Sequence, residues 1–409
     1  MEQYQDARQM RGLQIAQNGG IKQIDLNLYK VPAQGGSGTY TVNFGEHEPT
    51  CDCPDCQTRH VKCKHQFAVE YFLKFEQDKL GNKTVTKTVK ITYPQDWQNY
   101  NKAQTGEIEM FDALLKDLVQ SVKEPPQNMG TGRKKASIRE SLFCAIQKVY
   151  SKLSQRRAHT LYRNAQERAQ IGHAPHFNMV GKLLNKEETT PILQNLLTLS
   201  ALPLKTVETQ FAVDSSGFRT TQFDDYCREK HKVKKQHRWV KAHVMVGTKT
   251  NVITSAIVTD EHGGDCPQFE PLVKTTHENG FSLNEVSADK AYLSRDNLGL
   301  VEELGGVAYI PFKENSRGTR TRGGSPIWKK MFYLFQYRND EFMEHYHKRS
   351  NVETVFQMVK AKFGDKLKSK NRRAQENELL CKLVAHNICV LIQEAFELGI
   401  KADFGLTKS

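Results

Sequence analysis

Two short apolar segments, each closed by an aspartate, constrain this chain more than any other feature. TQFAVD ends in Asp214 and NEVSAD ends in Asp289. Each reads as a buried β-strand. Between them, HRWVKAHVMVG and NVITSAIVTD read as a hairpin turning at Lys249–Asn251, and CPQFEPLVKTTHENG reads as a helix. After Asp289 come a helix, SRDNLGLVEELGG, capped by Ser294 and ended by Gly305 and Gly306, and a strand, GVAYIPF. A third acid, Glu353, falls on a later helix spanning 346–363. Taken singly, Asp214 could close a turn with the following SSG, and Asp289 could cap one before KAY. Taken together, the order of elements brings three acids to one edge of a mixed sheet.

That order is what an RNase H-like fold needs. Three adjacent carboxylates repel one another, so such a site is stable only with cations in it. Hard oxygen ligands select Mg²⁺ or Mn²⁺. Two such ions, about 3.5–4 Å apart, activate an attacking hydroxyl and stabilise the leaving oxygen at phosphorus. No Ser, Cys or Tyr nucleophile is required.

The stretch YHKRSNVETVFQMVK, residues 346–360, reads as one helix without Pro or Gly. Helical spacing sets Tyr346, Arg349, Glu353 and Lys360 on one narrow stripe about 21 Å long. A lone carboxylate flanked by two cations suits joint binding of a metal and a phosphate backbone. The alternative is a solvated face carrying an Arg–Glu pair at i, i+4. The pattern Tyr-x2-Arg-x3-Glu-x6-Lys, together with AVDSSGF and SADKAYLS, resembles the DDE transposases of the insertion-sequence-four family over roughly residues 206–395. The resemblance implies that Asp214, Asp289 and Glu353 form the catalytic, metal-binding triad, and that Tyr346, Arg349 and Lys360 hold the DNA end by its phosphates. It further implies cut-and-paste transposition of an insertion sequence: hydrolysis at the element ends, then strand transfer into target DNA. The partners would be terminal inverted repeats and target DNA, held in a synaptic complex by a homodimer. Only about 40 residues separate Phe312 from Arg349, so the large strand-rich insertion of some relatives is absent. Two other readings stay open: an RNase H-like nuclease or resolvase without transposition, and a non-enzymatic zinc-finger DNA-binding protein.

Cys51, Cys53, Cys63 and His65 follow Cys-x-Cys…Cys-x-His, with nine residues between the pairs. Thiolates and imidazole are preferred zinc ligands, and four of them close a structural tetrahedral site for one Zn²⁺. Cys56 and His60 lie inside the loop as competing ligands. Residues 12–46 read as short strands (LQIAQ, IKQIDLNLYKV and TYTVNF) with turns at Gly19-Gly20 and Gly35-Gly36, and 64–75 as an amphipathic helix. The layout, a small ββα module, resembles a SWIM-type zinc finger, which binds DNA or protein.

The net charge of +13 favours a polyanionic partner, nucleic acid first. Arg219, Arg228, Lys230, Lys232, Lys234, Lys235, Arg238 and Lys241 crowd between the first two strands. Of these Lys234, Lys235, Arg238 and Lys241 are the foremost candidates for tracking a duplex by its phosphates. A second basic run covers 360–373, and Arg317, Arg320 and Arg322 lie in a Gly-rich loop. The chain reads as a zinc finger at 1–80, a linker and helical region at 81–205, an RNase H-like catalytic domain at 206–398, and a tail at 399–409. Helices around 158–186 are compatible with a helix-turn-helix, with HFNMVGKLL as its recognition helix, or with a plain bundle. No apolar run reaches the roughly 18–20 residues of a membrane span, and the N-terminus lacks a signal-peptide layout. The expectation is a cytoplasmic, nucleoid-associated protein of a prokaryote with no membrane partner.

Overall fold

The computed structural model describes residues 7–25, 27–34, 38–43, 49–59, 62–79, 97–126, 137–220, 239–318, 325–402 and 404. They fall into two units, Met1–Gln95 and Asp96–Ser409.

In the first unit, a helix α1 (Ala7–Asn18) precedes four strands, β1 (Lys22–Asp25), β2 (Leu28–Pro32), β3 (Thr39–Asn43) and β4 (Thr50–Cys51). Two helices follow, α2 (Pro54–Arg59) and α3 (Lys64–Lys79). The strands form an antiparallel sheet in the order β1-β2-β3-β4. The strand expected at LQIAQ is instead the second half of α1. Packing against α3, which Gly12 permits, favours a helix there. A Cβ at Gly12 would lie 2.6 Å from the Phe67 Cβ and 2.8 Å from the Lys64 carbonyl oxygen, so only glycine lets α1 lie against α3. That contact buries Ile15 and Ala16 with Ala68, Val69, Val31 and Val42. Tertiary packing thus overrides a short alternating pattern. IKQIDLNLYKV is two strands of a hairpin, not one. Gly19 and Gly20 do turn the chain, at φ +72° and +92°. The expected turn at Gly35-Gly36 and most of the expected linker at 78–93 lie outside the described residues.

The second unit opens with helices α4 (Trp97–Thr105), α5 (Glu107–Val119), α6 (Ile138–Tyr150), α7 (His159–Glu167), α8 (Phe177–Leu184) and α9 (Thr189–Ala201). Strands β5 (Gln210–Arg219), β6 (Trp239–Gly247) and β7 (Ile253–Asp260) are followed by α10 (Cys266–Glu278), β8 (Glu285–Ala288), α11 (Arg295–Glu303) and β9 (Val307–Tyr309). The chain continues through α12 (Pro326–Tyr337), α13 (Asn339–Tyr346), α14 (Ser350–Phe363) and α15 (Arg372–Glu397). The mixed sheet has the order β7-β6-β5-β8-β9. β6 pairs antiparallel with β5 and β7, whereas β8 pairs parallel with β5 and β9.

The helices of 97–201 do not stand apart from the sheet. Their Phe111, Leu142, Phe143 and Leu196 belong to one continuous apolar core with Val213, Val244 and Val286 of the strands. Through that core runs α15, whose Leu380, Leu383, Val384, Ile388 and Leu391 are all buried. Among the described helices, α15 is long and apolar enough by length and composition to cross a membrane, and most of it is enclosed by the rest of the unit.

Asn387 is a fully buried amide in that helix. It accepts from the Ile253 N–H at 2.9 Å and donates to the Ile253 carbonyl at 2.8 Å and the Ser200 hydroxyl at 2.9 Å. One side chain thereby ties α15 to β7 and α9. Replacing it with Leu leaves the Ile253 N–H and carbonyl without this partner, away from water, while the Ser200 hydroxyl keeps its bond to the Leu197 carbonyl. Asn387→Leu should lower the stability of the second unit by about 2–4 kcal/mol in urea unfolding; an unchanged midpoint would show that the amide is not a tie.

Candidate functional site

The central strand pair sets the first two acids side by side. In the parallel β5–β8 ladder Val213 is paired with Ala288, so the next residues along are Asp214 and Asp289. Asp214 does not end its strand as expected. β5 continues through Ser215, Ser216 and Gly217 to Arg219, because β6 pairs with it along that whole length. The expected SSG turn is therefore strand. Asp289 does close β8: its Oδ1 accepts from the Lys290 N–H at 2.5 Å and caps a 3₁₀ turn.

The helix that carries the third acid is not continuous. α13 ends at Tyr346, residues His347–Arg349 form a 3₁₀ turn, and α14 begins at Ser350. Glu285, at the start of β8, fixes this joint: it lies 2.7 Å from the Lys348 Nζ and 3.1 Å from the His345 Nδ1. The Tyr309 ring of β9 stacks on His345 at 4.4 Å, and the Ser287 hydroxyl donates to the His345 carbonyl at 3.2 Å. Strands β8 and β9 thus hold the turn, and the turn aims Arg349 back at the sheet. The Arg349 Nη2 meets the Asp214 Oδ2 at 2.7 Å, and its Nη1 meets the Glu353 Oε1 at 2.8 Å.

The electrostatics follow from this crowding. Burial pushes the Asp214 carboxyl up; the Ser215 N–H and Arg349 pull it down, and Asp289 and Glu353 push it up again. Burial also works against the Arg349 charge, but Asp214, Tyr346, Glu353 and Asp289 outweigh it and hold the guanidinium above its ordinary value. Tyr346 is half-buried, and its hydroxyl is pushed up chiefly by burial. Lys360 lies about two turns beyond Glu353 on α14, donating to the Ser216 hydroxyl at 2.7 Å with its ammonium 5.2 Å from the Phe218 ring centroid. Ser216 shares a sheet face with Asp214. Arg349 and Lys360 therefore meet the face of β5 that carries Asp214, and Glu353 is linked to it through Arg349.

On the opposite face lies a cluster that the sequence did not announce. Asp265, immediately before α10, accepts from the Ser215 hydroxyl and pairs with the Lys241 Nζ, both at 2.7 Å. His243 is fully enclosed beside it, its Nδ1 3.4 Å from Asp265 and its Nε2 2.8 Å from the Thr259 hydroxyl. Burial pushes its imidazole down to about 4. Lys241, expected to track DNA, is thus engaged by an internal carboxylate. Lys234, Lys235 and Arg238, with Arg228, Lys230 and Lys232, lie outside the described residues, as do Arg320 and Arg322. Asp265 was legible only as an acid before a Cys-Pro helix start, a signal too common to single out.

In the first unit, the ligand atoms of Cys51, Cys53, Cys63 and His65 lie within 4.8 Å of one another, and all four side chains are buried. The Cys51 and Cys63 sulfurs are each 3.9 Å from the His65 Nδ1. β4 supplies Cys51, and the first turn of α3 supplies His65. The Gln66 side chain accepts from the Cys63 N–H at 2.7 Å and fixes that turn. Cys56 falls outside the cluster, and His60 lies outside the described residues. Crowded sulfurs share protons: a hydrogen bond from Cys51 holds the Cys63 thiol far down, to about 3, and Cys51 is pushed up in return. Three thiols and an imidazole gathered in an apolar interior match the donor set of a structural zinc ion.

Residues 205–388 match the family model described as a transposase DDE domain, which supports a DDE transposase. A cryo-EM structure of the piggyBac transposase synaptic complex with hairpin DNA is similar over 72% of this chain and 74% of that one, at 10% identity and a TM-score of 0.35.

Elemental analysis of the full chain should find one zinc ion, retained through gel filtration. Cys63→Ala should lose it and melt the first unit at a lower temperature. Equal zinc content in the variant would rule the cluster out.

Proposed function

We propose that the protein is a DNA transposase of the insertion-sequence-four type. It would cut an element free at its terminal inverted repeats and join the ends to target DNA. The reading gives residues 206–398 an RNase H-like fold, with Asp214, Asp289 and Glu353 as the catalytic acids. What supports it best is the parallel β5–β8 register, which sets Asp214 beside Asp289 within the stretch that matches a transposase DDE domain. The link from Asp214 through Arg349 to Glu353 adds the third acid.

The donor set fits two Mg²⁺ or Mn²⁺ ions. It offers hard carboxylate oxygens, and Asp214 is pushed up by its burial and by the other two acids, so added positive charge is favourable. When bound, such ions supply charge neutralisation for the attacking and leaving oxygens. The chain's own residues do the rest. Arg349 presents a fork of donors suited to a phosphate. Lys360 adds a point charge further along α14, and Tyr346 a hydroxyl at the other end of the stripe. Together they would lay the DNA backbone across the acids. The Cys51, Cys53, Cys63 and His65 cluster would hold zinc as a closed structural site of SWIM type, giving the first unit a rigid surface for DNA or for a second protomer. Two protomers in a synaptic complex would bring the two element ends together.

Glu353→Gln tests the assignment with little change in shape. Nicking of a plasmid carrying the sequences that flank the gene, in Mg²⁺ or Mn²⁺, should fall by about 10³-fold or more. DNA binding in a gel shift should change by no more than about threefold. Unchanged nicking would refute the acid triad. A wild-type protein that nicks but never joins a pre-cut end would instead be a nuclease.

A further inference from the structure

α12 carries an exposed face that the proposed chemistry leaves unused. Its sequence, PIWKKMFYLFQY, contains no carboxylate. Ile327, Trp328 and Met331 are buried against the core. Lys329, Lys330, Tyr333, Gln336 and Tyr337 are exposed. Tyr333 and Tyr337, one helical turn apart, stack with their ring centroids 5.7 Å apart and planes 22° from parallel. Tyr337 is 76% exposed, an unusual state for so large a ring. The Lys329 ammonium lies 6.0 Å from the centre of the Tyr333 ring. Among the described residues, neither lysine forms an ion pair and neither tyrosine hydroxyl has a hydrogen-bond partner. Arg338, at the end of the helix, pairs with Glu341.

We infer that this face is a stacking platform for unpaired bases, and that its ligand is a single-stranded stretch of DNA. The inference rests on the proposed DNA substrate. Stacked aromatic rings accept any base through its π-face, and lysines without carboxylate partners beside them accept the phosphates that link the bases. A duplex keeps its bases stacked on each other and offers these rings nothing. A protein partner of ordinary kind would want Leu334 and Phe335, which are turned inward, rather than a strip of tyrosine, lysine and glutamine. The platform is also joined to the site. Phe335 packs edge-on against Phe342 of α13 at 5.1 Å, and Phe342 stacks with Tyr346 at 6.4 Å. The tyrosine pair therefore belongs to the helix next to the one that ends in Tyr346, the residue that opens the signature stripe. A strand unpaired at the cut end would have a surface waiting on the adjoining helix.

The test uses the full chain and two fluorescein-labelled probes, a twenty-nucleotide oligothymidine and a blunt duplex of equal length, read by anisotropy. Replacing both rings, Tyr333→Ala with Tyr337→Ala, should weaken oligothymidine binding by about tenfold or more and duplex binding by less than about twofold. Replacing both with Phe keeps the rings and should leave both probes within about twofold. Equal loss on both probes, or no loss on either, overturns the platform. So does a variant that binds DNA normally but changes from dimer to monomer in sedimentation, which would make the face a contact between copies. If the unaltered protein binds neither probe, the DNA reading itself fails; if it binds duplex and the alanine pair has no effect on oligothymidine, only the platform fails.

Discussion

Like charges set the terms for this molecule. Asp214 and Asp289 are neighbours by strand register, and Glu353 is drawn toward them through a shared arginine. Acids that feel one another's charge resist ionising together unless positive charge stands between them. Arg349 supplies one such charge, held above its ordinary value by the acids around it. The rest of the second unit keeps this arrangement from relaxing. The parallel pairing fixes the two aspartates, Glu285 fixes the joint that aims Arg349, and α15 backs the sheet through Asn387.

Both faces of β5 take part. Asp214 and Ser216 face α14, and Ser215 faces Asp265, Lys241 and His243. The strand that carries the first acid is therefore gripped from behind by a hydrogen-bonded cluster. A buried polar network of this kind specifies one position for its members, since a shift leaves groups unpaired. It accounts for a run of polar residues in a central strand, where apolar ones are usual.

Much of this was legible in the residues. Both aspartates follow apolar runs, and the strand–hairpin–helix–strand order read from the pattern is the order found. The Cys-x-Cys and Cys-x-His pairs converge, since ligand type and spacing carry their own geometry. What was hidden depended on contacts distant in sequence. SSG after Asp214 has the composition of a turn, yet the partner strand β6 pulls it straight. LQIAQ alternates like a strand, yet Gly12 lets it lie as a helix on α3. The spacing from Tyr346 to Lys360 predicts one helix. The 3₁₀ turn at His347–Arg349 changes its meaning, because it turns Arg349 onto Asp214 instead of leaving it on a solvated face. By sequence Lys241 is one of a row of cations suited to tracking DNA, and only the fold shows Asp265 beside it.

The central claim is that Asp214, Asp289 and Glu353 act as one cation site. Crystals of the protein soaked in Mn²⁺ test it most directly, by anomalous scattering at the manganese edge. The account predicts manganese peaks within ordinary coordination distance of all three carboxylates, lost on replacing Asp289 with Asn. Peaks confined to other surface acids, or a triad that stays empty at millimolar Mn²⁺ with and without DNA, would contradict it.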